Sequence, residues 1–514
     1  MATAKSNKWW RNAIIYQIYP RSFYDGNGDG IGDIQGIISK LQYLKDLGID
    51  AIWLGAIFPT SNYDLGYDII DFKSINPDYG TIEDMEKLIS KAKRLGIKII
   101  LEFPIIHTSD EHPWFKKALA GDEKYRNFYY IKEGNGNKPP NNWQSIFGGR
   151  AWQKTEQGDY YLHLFSKHQP DLNWSNPDVY DEIADVMRFW LDKGIAGFKY
   201  NAVNLMYKIS LADGERGKRI TGIEHYINAD GCHEILKRFN QEVWSKYKCF
   251  NVGETFFLSE EDARLLCDED RLELDSVFYN EHYVVAKGLI KAIKKNTRLK
   301  PNKFAHILDK WQEAIKYPSN ALENRDTSRS ISRYGNTLKY WNLSAKMLCG
   351  MDLSMKGIPY IYQGQEIGMT NADYVNVEEQ KSKEPMQWDD TVYAGFTTGT
   401  PWFNVNSNNN VINVKTELED ENSILNFYKS MIDFRKNSNA LLEGDYRRVA
   451  SSKDIFIFTR ESYEERLYVY CNLTSFNRAV EFYGDRIVFD NYKDGEIEDF
   501  YLKPYEFRII KSNI

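Results

Sequence analysis

Residues 180–203 read YDEIADVMRFWLDKGIAGFKYNAV. The first part, Tyr180 to Asp192, spaces its apolar side chains along one face of a helix. Lys193-Gly194 breaks that pattern, and Gly197 to Tyr200 follows as a short apolar strand. The same strand–helix rhythm runs outward in both directions. Upstream, Ala13 to Tyr19 is an apolar run, Gly36 to Leu47 has helical spacing and Ala51 to Leu54 reads as a buried strand. Ile82 to Leu95 is an amphipathic helix, and Ile97 to Leu101 is another strand. Downstream, Phe250 to Gly253, Ser276 to Tyr279, Pro318 to Leu322 and Ile358 to Tyr362 complete a set of eight strands. Short apolar strands alternating with helices pair in parallel through right-handed crossovers. Eight of them predict an α/β fold of the closed (β/α)8 TIM-barrel kind. A doubly wound open sheet is the alternative, but no Gly-x-Gly-x-x-Gly opens its first helix.

The rhythm breaks twice. From Phe103 to Asn173 the chain is irregular, with Gly134-Asn135-Gly136 and Phe147-Gly148-Gly149, which predicts an inserted subdomain after the third strand. After about Glu443 the pattern turns to alternation, as in Ile455-Phe456-Ile457-Phe458 and Leu467-Tyr468-Val469-Tyr470, which predicts a C-terminal antiparallel β-domain. The expected boundaries are 1–102 with 174–442 for the barrel, 103–173 for the insertion and 443–514 for the β-domain.

A chain of 514 residues is long enough for two or three such parts. Its net charge of −7 argues against nucleic-acid and anionic-membrane partners. Aromatics make up 15% of the chain, which suits sugar-stacking surfaces as well as a core. The five cysteines are scattered and never spaced as Cys-x-x-Cys, so reduced thiols in a cytoplasm are expected rather than disulfides or zinc. The polar stretch Met1 to Lys8 resembles no signal peptide, and no apolar run reaches the ~20 residues of a membrane span.

Asp25-Gly26-Asn27-Gly28-Asp29-Gly30-Ile31-Gly32-Asp33 places oxygens at alternate positions around a sharp bend at Gly30. The spacing is that of an EF-hand loop, with Asp25, Asn27, Asp29, the Ile31 carbonyl and Asp33 as ligands for one Ca²⁺. It is not an EF-hand, because the twelfth position is Gly36 and a strand precedes the loop. An Asp/Gly-rich turn without a metal is the alternative, but four clustered oxygen-bearing side chains would repel one another without a cation, so the metal is expected.

The motifs at the strand ends carry a resemblance. Glu102-Phe103-Pro104-Ile105-Ile106-His107, Gly197-Phe198-Lys199-Tyr200-Asn201, Val252-Gly253-Glu254-Thr255 and Glu323-Asn324-Arg325-Asp326 stand where the α-glucosidases of the α-amylase superfamily (glycoside hydrolase family 13) keep their catalytic residues. The chain resembles oligo-1,6-glucosidases, maltases and trehalose-6-phosphate hydrolases, and the likeness runs from Trp9-Trp10 to Leu502-Lys503-Pro504-Tyr505-Glu506. It implies the three-part fold, a structural Ca²⁺ in the Asp25 loop and a sugar cleft at the C-terminal barrel face. Glu254 matches the general acid, and Asp326 matches the carboxylate that holds sugar hydroxyls. Tyr67, Asp68 and His107 match sugar-contacting positions, with Arg329 added to that set.

Five positions depart from the resembled pattern. Asn201 replaces the nucleophilic aspartate, Lys199 the arginine beside it, Glu102 an aspartate, Ile106 an asparagine and Arg325 a histidine. An amide cannot form the glycosyl ester of a retaining mechanism, and lysine is a point charge without arginine's fork. Relative to the resembled pattern the pocket gains about two positive charges if that histidine is neutral. That opposes an oxocarbenium-like transition state and favours a neutral or anionic sugar. Three functions follow as expectations. The first is a degenerate, α-glucosidase-like pseudoenzyme that binds an α-glucoside, plain or phosphorylated. The second is an active α-glucosidase with Glu254 as acid and a rearranged carboxylate set. The third is a non-catalytic scaffold or partner subunit. Neither the protein partner nor the linkage is legible, although Ala202 resembles α-1,4 more than α-1,6 specialists.

Overall fold

Gly197 shows how tightly the strands close on one another. It has φ +153°, and a Cβ there would sit 1.9 Å from the Phe250 carbonyl of the neighbouring strand. The computed structural model describes residues 8–283, 300–372, 382–492 and 500–512. Most of the polar N-terminal stretch read above, residues 1–7, lies outside them. Eight parallel strands form a closed barrel: β1 (Ile15–Ile18), β2 (Ala51–Leu54), β3 (Lys98–Phe103), β4 (Gly197–Tyr200), β5 (Phe250–Glu254), β6 (Ser276–Phe278), β7 (Ser319–Ala321) and β8 (Ile358–Tyr362). Their order around the barrel follows the chain. The strands of the β3–β6 half are almost wholly buried, as the apolar runs require.

The chain divides into two compact units, Met1–Ile52 with Lys91–Ile97 and Tyr279–Ile514, and Trp53–Ser90 with Lys98–Phe278. Within the second unit, the helix Pro177–Asp192 is set by its ends. Asn176 caps it by accepting from Asp178 N, Pro177 fills the first turn, and Gly194 leaves the helix at φ +102°. Its apolar face, including Val179, Ile183, Met187 and Trp190, is buried, and Trp190 Nε1 donates to Phe72 O at 2.7 Å. The register aligns Glu102 with Lys199 and Tyr200 with Gly253, so β3, β4 and β5 deliver their last side chains at one level. Between β3 and β4 lies a three-stranded antiparallel sheet, ordered Ile131–Lys132, Tyr160–Leu162, Trp152–Lys154.

The first unit carries the C-terminal antiparallel sheet. Its order is Asp445–Val449, Ile455–Glu461, Arg466–Asn472, Phe507–Ser512, Arg486–Asp490. Ile455 and Ile457 pack with Tyr470, Leu502 and Ile510 in one core. Ile455 to Arg460, the run from which this antiparallel domain was expected, is buried throughout. The helix Trp341–Ser354 lies against this sheet, close enough that a Cβ on Gly350 would stand 2.5 Å from the Phe507 ring. The single helix expected from Gly36 to Leu47 is two, Ile34–Ser39 and Leu41–Leu47, interrupted at Lys40.

Candidate active site

β3, β4 and β5 bring two carboxylates and one ammonium into contact. Lys199 Nζ donates to Glu102 Oε1 at 3.0 Å and to Glu254 Oε2 in a shorter contact. Lys199 and Glu102 are buried, whereas the Glu254 side chain is 30% exposed. Burial would lower the Lys199 ammonium, but Glu102 and Glu254 together raise it above its ordinary value, so it stays charged. The Trp53 ring lies beneath it, 5.0 Å from Nζ.

Asn201 follows β4 and completes the cluster. Its Nδ2 donates to Glu102 Oε1 at 2.9 Å and to Glu254 Oε2 at 3.4 Å. Tyr67 Oη donates to the same Glu102 oxygen at 2.9 Å. Glu102 Oε1 thus accepts from Lys199, Asn201 and Tyr67 together. Glu102 Oε2 and Asn201 Oδ1 are buried without an intramolecular donor among the described residues. These are acceptors whose chemistry suits hydroxyl donors.

The other sequence-selected residues fall into place one by one. His107 is buried, with Nε2 3.2 Å from Tyr67 O and 3.1 Å from Gln169 Nε2. Burial lowers its pKa against the raising influence of Asp171, which keeps the ring neutral at pH 7. Ile106 is buried and offers only its backbone, its carbonyl accepting from Leu172 N. Asp68 is fully buried and accepts from Thr60 Oγ1 and from the amides of Ser61, Tyr63 and Asp64, so it braces that loop. In the other unit, Asp326 follows β7 with its side chain 57% exposed, next to Arg325 Nε at 3.4 Å and Lys383 Nζ at 3.9 Å. The Arg325 guanidinium lies over the Tyr19 ring at 5.1 Å. Arg329 is fully buried, donating to Glu323 Oε1 at 3.0 Å and Gln363 O at 2.6 Å. Glu323 also accepts from Ser330 N, so Arg329 and Glu323 together pin the segment after β7.

Sequence reasoning passed over a buried ion pair beside His107. Lys208 Nζ donates to Asp171 Oδ2 at 2.6 Å and to the carbonyls of Leu205 and Met206, each at 3.2 Å. Burial lowers the Lys208 pKa, and Asp171 offsets that only in part. A lysine between apolar residues was the available signal, but nothing in the spacing joined it to Asp171.

The loop Asp25–Asp33 is held by its own side chains. Asp25 Oδ1 accepts from Asn27 N and Gly28 N, and Oδ2 from Gly30 N at 2.7 Å and from the Thr397 hydroxyl. Asp33 accepts from Gly26 N and Gly36 N, and Asp29 Oδ1 from Ile31 N. Burial raises the Asp33 pKa despite those amide bonds. Among the described residues no three His, Cys, Asp or Glu side chains converge in metal-binding geometry. Asp29 and Asp33 still fit Ca²⁺ chemically, since each of their carboxylate oxygens accepts one donor and keeps a second lone pair, whereas both Asp25 oxygens already accept two donors.

Residues 17–444 match the family described as "Alpha amylase, catalytic domain". The chain is 40% identical to an oligo-1,6-glucosidase of Parageobacillus thermoglucosidasius, over 98% of this chain and 99% of that one. It superposes on the trehalose-6-phosphate hydrolase of Bacillus licheniformis with a TM-score of 0.92 at 35% identity, covering 98% and 100% of the two chains. A substituted isomaltulose synthase of Erwinia rhapontici NX5, solved in complex with its natural substrate sucrose, gives a TM-score of 0.93 at 33% identity, covering 98% and 99%.

Proposed function

From the premise that the chain belongs to the α-amylase catalytic-domain family and is α-glucosidase-like, we propose that it binds an α-glucoside at the Glu102–Lys199–Asn201–Glu254 cluster and hydrolyses it poorly or not at all. The carrying observation is the amide at Asn201. A retaining glycosidase needs a carboxylate there to take the anomeric carbon, and Asn201 instead donates to both neighbouring carboxylates. Glu102 is no substitute nucleophile, being 1% exposed and already accepting from three donors. Loss of a nucleophile costs on the order of 10⁶-fold in a protease, roughly 8 kcal/mol of barrier. Glu254 is ion-paired to Lys199 and partly exposed, which makes it a ready acceptor for a sugar hydroxyl. We further propose that Asp25, Asn27, Asp29, Asp33 and the Ile31 carbonyl hold a structural Ca²⁺. The five free cysteines fit a reducing compartment, the cytoplasm. No helix among the described residues is long and apolar enough to cross a membrane.

A second reading is hydrolysis with Glu254 as general acid and a rearranged carboxylate set, and it draws support for hydrolysis itself from a relative 40% identical over almost the whole chain that bears a hydrolase's name. The two readings separate in one assay. Purified protein is offered aryl α-glucosides, maltose, isomaltose, sucrose, trehalose and trehalose 6-phosphate, with release of glucose and calorimetric binding both measured. Binding with little or no turnover is expected. Turnover at ordinary enzyme rates that Glu254→Gln abolishes establishes the hydrolase instead, and absence of binding leaves a scaffold.

The same geometry predicts the outcome of reversion. Asn201→Asp alone places a carboxylate oxygen where an amide now donates to Glu102 and Glu254, and like charges repel at that range. It restores little. Asn201→Asp combined with Lys199→Arg, Ile106→Asn and Arg325→His recovers more than the sum of the single changes, because a catalytic set acts as a unit.

A further inference from the structure

Apart from the carboxylate–lysine cluster, the second unit holds a serine and a histidine in hydrogen-bond contact. Ser210 Oγ lies 3.0 Å from His225 Nδ1. Nε2 of the same ring lies 3.3 Å from the Asp213 carbonyl and 3.9 Å from Glu224 Oε1. Nε2 thus faces two acceptors. The neutral ring carries its hydrogen there, Nδ1 keeps the lone pair, and the Ser210 hydroxyl donates to it. That is the tautomer a general base needs beside a nucleophilic hydroxyl. Desolvation would raise the Glu224 carboxyl, but the amides of Glu215 and of Glu224 itself and the neighbouring His225 hold it below its ordinary value. It is therefore ionised at neutral pH, and it stabilises the imidazolium formed when Nδ1 takes a proton.

Both side chains stand on braced backbone. Asn141 Nδ2 donates to Leu211 O, Trp143 Nε1 to Ala212 O and Asn142 Nδ2 to Gly214 O. Asn142 N donates to Asp213 Oδ1, and Gly214 N donates to Asn142 Oδ1. These five bonds hold the turn that begins at Ser210. His225 ends the short helix Ile223–His225, its carbonyl accepts from Ile209 N, and its ring stacks on buried Trp143 at 5.6 Å and 9°. Hydroxyl and imidazole are thereby fixed relative to each other before a ligand arrives. Ser210 is exposed. The amides of Ser210 and Leu211 donate no hydrogen bond among the described residues, which leaves them for a developing oxyanion.

We propose that Ser210 and His225 form a second nucleophilic centre, sharing no residue with the sugar cluster, that hydrolyses small carboxylic esters. Ser210 Oγ attacks the ester carbonyl carbon as its proton passes to His225 Nδ1. The bond from that carbon to the alcohol oxygen breaks, and the alcohol leaves with the proton, giving acyl-Ser210. Water then attacks the acyl carbon, Nδ1 takes one of its protons, and the serine oxygen recovers that proton as the carboxylic acid departs. Because Ser210 stands in the open, short acyl groups with good leaving groups are the expected class.

The test uses a fluorophosphonate, which phosphonylates activated serines with loss of fluoride, and p-nitrophenyl acetate as the ester. Intact mass and peptide mapping of the labelled wild type should find one phosphonyl group, on Ser210. That readout needs no variant to fold. Release of p-nitrophenolate should exceed the buffer rate and return to it in Ser210→Ala. In His225→Gln it should fall by about 10²–10⁴-fold, the usual share of a positioned base. The proposal is overturned if the label is absent or lies on another residue, if wild-type release matches buffer, or if Ser210→Ala or His225→Gln keeps the wild-type rate. Neither result bears on sugar binding, which the glucoside titrations decide separately.

Discussion

Replacing Lys199 by methionine keeps its length and removes its charge. Lys199 is 3% exposed and Glu102 is 1% exposed, so the substitution leaves Glu102 buried without its counter-ion. Breaking a buried ion pair by deleting one partner costs about 3–5 kcal/mol. The lower end applies here. Glu102 Oε1 keeps the neutral donors Tyr67 Oη and Asn201 Nδ2, both at 2.9 Å, and Glu254 is exposed enough to be hydrated. A loss of about 3 kcal/mol is therefore expected in urea unfolding followed by tryptophan fluorescence, with the m-value checked because the chain has two compact units. The pH dependence carries its own sign. The Lys199 pKa is raised on folding, so its contribution is complete below the unfolded value of about 10.4 and fades only as pH rises through the higher folded value. The deficit of Lys199→Met should thus be flat from pH 7 to about 10. Lys199→Met/Glu102→Gln removes both charges and should cost at least about 1 kcal/mol less than the two single changes summed. A single-variant cost below about 1 kcal/mol, or strict additivity of the pair, would refute the ion-pair argument.

Two further outcomes concern stability away from the cluster. Burial raises Asp352 to about 8 against the pull of Arg435, so the folded state binds a proton that the unfolded state releases at lower pH. Asp352→Asn should therefore gain on the wild type as pH rises from about 4 to 8, by at most about 1.4 kcal/mol per unit in urea unfolding, and a flat difference would contradict the shift. At the Asp25 loop, Gly30 has φ +95° and a Cβ would meet the Thr400 carbonyl at 1.8 Å, so Gly30→Ala should cost at least about 1–3 kcal/mol. Protein purified with calcium should melt lower after chelation with no change in sugar affinity. If metal analysis finds no calcium and Asp29→Ala leaves the melting temperature unchanged, the loop is only a turn.

The barrel was legible because each strand is a short apolar run bounded by a break, a signal carried by consecutive residues. The features that escaped depend on residues far apart in sequence. Lys40 interrupts a helical pattern that spacing alone carries through to Leu47. Ile455 to Arg460 alternates no exposure because the helices Pro301–Ala314 and Asn439–Glu443 pack against that strand. Lys208 and Asp171 are 37 positions apart, and no periodicity marks them as partners. At the site, the strand-end motifs selected Glu102, Lys199, Asn201 and Glu254, but not how their side chains pair. The structure has Lys199 bridging both. Asp68 and Arg329 were selected as sugar contacts on resemblance, and their bonding runs to loop amides and to Glu323, which only three-dimensional packing reveals.

The departures around Asn201 fit one another. Relative to the resembled pattern, position 102 has gained a methylene and position 199 has exchanged a planar fork for a point charge on a flexible stem. A longer carboxylate reaching toward a single ammonium restores an ion pair that an aspartate–arginine geometry would have made differently. With Lys199 bound to two glutamates, an aspartate at 201 would have been a third carboxylate around one cation. An amide avoids that repulsion and supplies a donor to each glutamate, at 2.9 and 3.4 Å. The cluster is therefore one mutually consistent arrangement, in which charge balance and hydrogen bonding favour the asparagine over the residue that hydrolysis would need. This is why the single reversion is expected to restore little. Asn201→Asp that alone restored turnover would show that the glutamates and the lysine leave room for a third charge, and the account of the cluster given by its hydrogen bonds would be wrong.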